Sequence, residues 1–280
     1  MGNYYIANEK YDREYIKSTW DMATGLQAVD SLTPSDYLKQ LAVKNIDGEL
    51  SNDEIEELLY TNYKDEDSGE ARSRIKEADI VSNRIVKLLK SESFSFSVVT
   101  LKYIHKKLFE DIYDSAGEFR SHNISKREAV LSSKSVTYGE FRLLDELLKY
   151  DFDEERDKDY GIMDKDKIIK NITKFTSSVW QAHPFEEGNT RATAVFIERY
   201  LSSKGFEVDN TLFEKHSKYF RNALVRSNYS SVNEGIHSNN KYLEKFFENL
   251  LYKGKHILRN RDLMLVTNNG TKDNQTNQPR

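Results

Sequence analysis

Cysteine is absent from this chain, which excludes disulfides, thiolate metal sites and cysteine nucleophiles and fits a reducing compartment. Proline is scarce, with 3 in 280 residues beside 12 glycines, too little for a chain built from many tight turns. No apolar run is long enough to span a bilayer, and the opening MGNYYIANEKYDREYIKSTW lacks the unbroken apolar core of a signal peptide. Ile6 stands where a myristoylation signal after Gly2 wants Ser or Thr. Cytoplasmic residence without membrane association is therefore expected. There is little charge excess: Lys+Arg 42 against Asp+Glu 46 gives a formal net charge of -4 and no general pull on nucleic acid. DNA binding is not expected, and any phosphate chemistry must come from a local positive site. What the chain does have is 38% hydrophobic residues, enough to bury the core of one large domain, with or without an accessory segment.

Those residues recur with helical spacing almost throughout, so the fold class is mainly α. Thr33-Pro34 is read as the start of a helix, Thr33 as N-cap and Pro34 in the first helical position, with Leu38, Leu41, Ala42 and Ile46 on one face. Ser51 and Glu54 form a capping box ahead of Ile55, Leu58 and Leu59. Leu101, Ile104, Leu108 and Ile112 mark a further helix over 100–113, on which His105 reads as a packed surface histidine. The helical period breaks between Gly117 and Tyr138, where Ala129-Val130-Leu131 and Ser135 to Tyr138 flank Ser132-Ser133-Lys134 in the pattern of a short β-hairpin. Ile168, Ile172, Phe175 and Val179 lead towards position 183, and residues 192–197 are apolar on most sides, the mark of a buried helix. The end, from Thr267, has the composition of disorder. These breaks divide the chain into a helical module over 1–65, a core over 66–256 with the hairpin at about 127–139, and a polar tail over 257–280.

Between two helical segments lies His183-Pro184-Phe185-Glu186-Glu187-Gly188-Asn189-Thr190-Arg191. Gly188 to Arg191 at a helix start offer free backbone N–H groups and the positive end of a helix dipole, which suit phosphate. Glu187 supplies the single carboxylate that Mg²⁺ takes alongside phosphate oxygens. Arg191 can fork onto a phosphate, and His183 can take a proton from an attacking hydroxyl. Read this way the loop is either a phosphate-transfer site or a capped turn whose His and Glu pair with neighbours.

This stretch resembles the motif of the Fic family, which runs His, any, Phe, any, acidic, Gly, Asn, Gly, Arg, two of any residue, Arg. The chain matches at His183, Phe185, Glu187, Gly188, Asn189 and Arg191, and Ala116 to Arg120 with Asn123 to Lys126 is similar to the family segment that precedes its flap. The likeness covers roughly 70 to 255. It implies a helical core with a β-hairpin flap, and transfer of AMP from ATP, with Mg²⁺, to a Tyr, Thr or Ser hydroxyl of a target protein. On that resemblance His183 is the base, Glu187 holds Mg²⁺, Gly188 and Asn189 shape the α-phosphate site, and Arg191 holds a more distal phosphate. Leu131, Ser132, Ser133 and Lys134 of the flap would register the target backbone. Gly188 separates the chain from the related toxins that phosphorylate their targets, which carry Ala there.

Two positions depart from the motif: Thr190 replaces Gly, and Ala194 replaces the second Arg. A positive φ at 190 would strain a β-branched residue, although the Thr190 hydroxyl could instead bind phosphate or cap the helix. Losing the second Arg removes a contact typically worth roughly 1.5 to 3 kcal/mol. In many Fic proteins a Glu on an inhibitory helix pairs with that second Arg. With Ala194 that pair cannot form, yet residues 25–34 followed by Gly48 to Ser51 resemble the small antitoxin module of some Fic toxins, with Asp30 in place of the inhibitory Glu. Asp30 is the leading inhibitory candidate, Glu234 and Glu77 being the alternatives. The resulting expectation is an autoinhibited protein adenylyltransferase. The alternatives are a nucleotide-binding regulatory protein without turnover, removal of AMP, or use of another nucleotide. The target and its modified residue are not given, and a homodimer is left open.

Overall fold

In a computed structural model of the chain, residues 12–64 and 69–265 are described, and they build ten α-helices: α1 Arg13–Leu26, α2 Asp36–Ile46, α3 Asn52–Asn62, α4 Glu70–Leu89, α5 Val98–Phe109, α6 Leu144–Arg156, α7 Lys165–Ala182, α8 Asn189–Ser203, α9 Leu212–Ser227 and α10 Lys241–Tyr252. The expected mainly α class holds. Among the described residues there is no helix long and apolar enough to cross a membrane.

Helix α8 is the central element. Every residue from Asn189 to Glu198 is buried, and α4, α5 and α7 pack around it. Such all-round burial follows from small and apolar side chains on every face, Ala192, Ala194, Val195, Phe196 and Ile197 among them. Under its C-terminal half Phe96 lies 4.5 Å from Tyr200, 4.9 Å from Phe152 and 5.5 Å from Phe175 between ring centroids. Of these, Phe152, Phe175 and Tyr200 are buried, and each such ring contributes roughly 1.5–3 kcal/mol.

The N-terminal helices are part of this body. Trp20, Met22, Ala23 and Leu26 of α1 are buried, and α1 packs against both α4 and α9. The capping box forms at α3: the Ser51 hydroxyl accepts from the Glu54 N–H at 3.2 Å, and the Ser51 N–H donates to Glu54 Oε2 at 2.7 Å. Helix α2 begins two residues later than read from Thr33-Pro34. Ser35 is its N-cap, accepting from the Leu38 N–H at 3.0 Å. The reason is tertiary: the Ser35 N–H and hydroxyl both donate to Asp79 of α4, which anchors the chain one turn into the expected helix.

No β-strand occurs among the described residues, so the hairpin read over 129–138 is not confirmed; the segment is a short loop. Ala129–Leu131 forms a 3₁₀ turn, Ser132 and Ser133 both adopt positive φ, and a single antiparallel bridge joins Glu128 to Lys134. Val130 and Leu131 are both buried, so the segment coils to tuck two neighbouring apolar side chains inward where a strand would point one outward. The carbonyl of Val130 is taken by the N–H of Leu265 at 2.9 Å, and the Ser132 hydroxyl donates to the Leu265 carbonyl at 3.2 Å. Residues 257–265, assigned from sequence to a tail, therefore pack on the body, with Leu258 and Leu263 buried. The polar stretch from Thr267 lies outside the described residues.

Candidate active site

The loop of interest is suspended between α7 and α8. His183 ends α7 in the left-handed region, φ 47° and ψ 58°. That conformation is uncommon for a residue with a Cβ and must be imposed by its surroundings. Arg120 imposes it: its guanidinium donates to the carbonyls of His183 at 2.8 Å, Ala182 at 3.2 Å and His122 at 2.6 Å, and its backbone N–H donates to the Pro184 carbonyl at 2.8 Å. A further Nη2 bond to the Gly139 carbonyl ties the base of the 128–134 loop to the same point.

Buried at 3% exposure, the His183 ring lies 4.2 Å from Tyr138 and 5.2 Å from Trp180 between centroids. Its Nδ1 is 3.2 Å from the Trp180 carbonyl, which can only accept, so Nδ1 carries the proton and Nε2 keeps its lone pair. Burial first, and the charge of Lys126 second, push the imidazole well below the usual histidine range, so it is neutral at physiological pH.

Phe185 points into the core and stacks on His105 at 3.7 Å with an 11° interplanar angle. His105, read from sequence as a surface residue, is 1% exposed and braces the loop. Its Nδ1 accepts the Gly117 N–H at 2.9 Å, which leaves Nε2 to donate to the Glu187 carbonyl at 3.0 Å. The side chain of Asn189 turns back on the loop, accepting from the Phe185 N–H at 2.9 Å and donating to the Phe185 carbonyl at 2.7 Å. Gly188 carries the positive φ of 72°, and a Cβ there would sit 2.4 Å from the Phe109 ring. Thr190 is in the first turn of α8, free of the backbone strain that a glycine position implies, and its hydroxyl accepts from Trp180 Nε1 at 3.0 Å. Glu187 stays exposed, with Oε2 2.9 Å from Lys126 Nζ.

Arg191 is 1% exposed and held by partners through both terminal nitrogens. Nη2 donates to Glu77 Oε1 at 2.7 Å and to the Tyr113 hydroxyl at 3.1 Å, Nη1 donates to Gln27 Oε1 at 3.1 Å, and the group lies 4.7 Å over the Phe109 ring. Nε is 2.8 Å from Asp30 Oδ2, a close ion pair whose N–H does not point at the oxygen. Burial opposes this charge, but Asp30, Tyr113 and Glu77 outweigh it and hold the guanidinium above its ordinary pKa. Two of the three inhibitory candidates thus converge on one cation. Glu234 is elsewhere, paired with Lys134 of the loop. Ala194 is buried one turn further along α8 and brings no second cation.

Residues 95–201 match the Fic/DOC family. This Fic/DOC segment holds His183, Glu187 to Arg191, Arg120, His105 and Lys126, whereas Asp30 and Glu77 lie upstream of it. Over 125 residues the chain is 30% identical to the probable protein adenylyltransferase y4lH of Sinorhizobium fredii, covering 44% of this chain and 61% of that protein. Over 119 residues it is 28% identical to the protein adenylyltransferase VbhT of Bartonella schoenbuchensis, covering 42% of this chain and 24% of that one. The chain thus spans about three fifths of the first relative's length and about a quarter of the second's. The N-terminal Fic domain of a VirB-translocated effector from Bartonella sp. AR 15-3 has the same fold at TM-score 0.54 and 17% identity, over 66% of this chain and 84% of that one. BepC of Bartonella tribocorum, solved with bound AMPPNP, superposes at TM-score 0.51 and 18% identity, over 64% of this chain and 86% of that one.

The motif and its flanking Ala116 to Lys126 run mark the loop in the sequence, but they give Arg120, His105, Trp180 and Tyr138 no part in it; nothing in the spacing of His105, Trp180 or Tyr138 marks their contacts.

Proposed function

We propose that this chain transfers AMP from ATP to a hydroxyl side chain of a target protein, and that the arrangement described above is its restrained state. The observation that carries the reading is a buried, neutral His183 whose Nε2 is free to accept a proton, set four residues ahead of the exposed Glu187 and beside the N-terminus of α8. Two relatives named as protein adenylyltransferases support it. In the reaction His183 Nε2 takes the proton of the target's Tyr, Thr or Ser hydroxyl. That oxygen bonds to the α-phosphorus, the bond from the α-phosphorus to its bridging oxygen breaks, and pyrophosphate leaves. Gly188, Asn189 and Thr190 place the α8 N–H groups against the phosphate, and Arg191 holds the outer phosphates once it is released.

No three His, Asp or Glu side chains converge to hold a metal among the described residues. A single exposed carboxylate at Glu187 does fit Mg²⁺ delivered with a nucleotide, because that ion keeps waters and phosphate oxygens as its other ligands. When bound there, Mg²⁺ would neutralise charge developing on the phosphates. The loop with Leu131, Ser132, Ser133 and Lys134 is the proposed docking edge for the target, although Leu131 itself is buried and serves as its anchor.

Restraint is assigned to Asp30 and Glu77, which occupy Arg191 from outside the Fic/DOC segment. With Ala194 in place of a second Arg, Arg191 is the cation through which such a restraint can act. The same engagement favours one other reading, a nucleotide-binding protein without turnover. Incubation with Mg²⁺, α-labelled ATP and lysate separates the two. Label should appear on protein, disappear with His183→Ala, and rise severalfold with Asp30→Asn combined with Glu77→Gln. If ATP raises the melting temperature but neither wild type nor the double variant transfers label, the binding-only reading is correct.

A further inference from the structure

We propose that Lys126 is a catalytic residue of this site, a cation that holds Glu187 while no nucleotide is bound and passes to the nucleotide's phosphates when Glu187 takes its metal. The inference rests on the adenylyltransferase reading and adds a residue role to it.

Lys126 Nζ lies 2.9 Å from Glu187 Oε2, with 29% and 57% of the two side chains exposed, so the pair is open to water and separable. The other cations around the loop are committed to partners that nucleotide binding does not remove. Arg120 is bound to backbone carbonyls, Arg221 pairs with Glu128, Lys134 pairs with Glu234, and Lys102 lies 4.5 Å over the Phe119 ring. Arg191 is shared between Asp30 and Glu77. Lys126 alone in this set is held by the carboxylate that a metal would claim. Once that carboxylate turns to a cation, the ammonium loses its partner, and the new anion within reach of a lysine stem is the phosphate chain the metal arrived with. A compact point charge on a flexible stem suits such a transfer better than a fixed guanidinium fork. Its backbone is anchored meanwhile: the Lys126 N–H donates to Ser135 Oγ at 3.2 Å, so only the stem has to move. The field of Lys126 already reaches His183, where it helps to keep the imidazole neutral. The departure at Ala194 makes this cation necessary, since a nucleotide triphosphate with one divalent metal still carries net negative charge.

The test uses the full chain and the variants Lys126→Met, Lys126→Arg and Glu187→Gln, each in the wild-type and the Asp30→Asn/Glu77→Gln background. Affinity for a fluorescent non-hydrolysable ATP analogue is read by anisotropy with Mg²⁺ and with EDTA. With EDTA, Lys126→Met should bind the analogue about as wild type does, because Glu187 already holds the ammonium there. It should bind the Mg²⁺-nucleotide about tenfold or more weakly, the size of a lost charge-assisted contact, with Lys126→Arg recovering most of that loss. Glu187→Gln should bind the metal-free analogue more tightly than wild type, since it frees the ammonium. Unchanged nucleotide affinity in Lys126→Met, or equal weakening in Lys126→Met and Glu187→Gln together with equal loss of melting temperature, would overturn the proposal and leave the adenylyltransferase reading standing. Failure of both backgrounds to bind any nucleotide would instead remove that reading and this inference with it.

Discussion

Gly188 is the position in the loop least open to change. Its φ of 72° suits glycine, and an added Cβ would meet Phe109 Cε2 and Cζ at 2.4 Å. Phe109 cannot yield easily, being fully buried between Tyr113 and the Arg191 guanidinium. Gly188→Ala should therefore cost roughly 2–5 kcal/mol, left-handed backbone and overpacking together, and urea unfolding will measure it. Wild-type stability in that variant would mean the loop relaxes around the methyl group. His105 gives a pH dependence. Burial holds its pKa at about 4 against an ordinary 6.5. Above 6.5 neither the folded nor the unfolded chain protonates it; as pH falls from 6.5 towards 4 only the unfolded chain does. Stability is thus complete above that window and falls through it by roughly 3 kcal/mol, then levels off. Urea unfolding at pH 7 and 4.5 with NMR titration of the ring tests this, and a ring titrating near 6.5 would refute it. The motif residues were legible in sequence because each is required by backbone geometry or chemistry; His105 was not, because helical spacing does not say which face meets a loop 82 residues away.

At the scale of elements, the helices follow their sequence signals wherever the signal is local. The Ser51–Glu54 capping box forms as spelled because both partners lie within one turn. Where distant groups intervene the local signal does not decide: Asp79 takes the Ser35 N–H and shifts the start of α2 past Thr33-Pro34, and the Leu265 N–H takes the Val130 carbonyl where a strand was expected. The 128–134 loop is instead secured from beneath: the Glu128 carboxylate, 2% exposed, pairs with Arg221 of α9 at 2.6 Å and 3.0 Å. Glu128→Gln leaves that guanidinium without its counter-charge and should lower stability by on the order of 3 kcal/mol, with faster amide exchange across 128–134. Exchange unchanged within that loop would show that the Leu265 contacts suffice to hold it.

For the whole molecule, the sequence divides off a helical module over 1–65, and the packing of α1 against α4 and α9 argues for one cooperative body. Trp20, Met22, Ala23 and Leu26 all lie in the common core. Removing residues 1–32 should therefore abolish cooperative unfolding, since a buried Trp alone is worth about 3–5 kcal/mol and whole domains about 5–15. Cooperative melting of the truncated chain near the full-length temperature would restore the boundary at 65. Release of Arg191 is better sought by point changes at Asp30 and Glu77 than by deletion. The sequence by itself determined the mainly helical class, the His183 to Arg191 loop and its likeness to Fic proteins, because periodicity, capping and motif spacing are properties of neighbouring residues. Only the tertiary structure decided that Asp30 and Glu77 meet on Arg191, and that Lys126 meets Glu187. These pairs lie 161, 114 and 61 positions apart in the chain, and only packing brings charges so distant in sequence within bonding range.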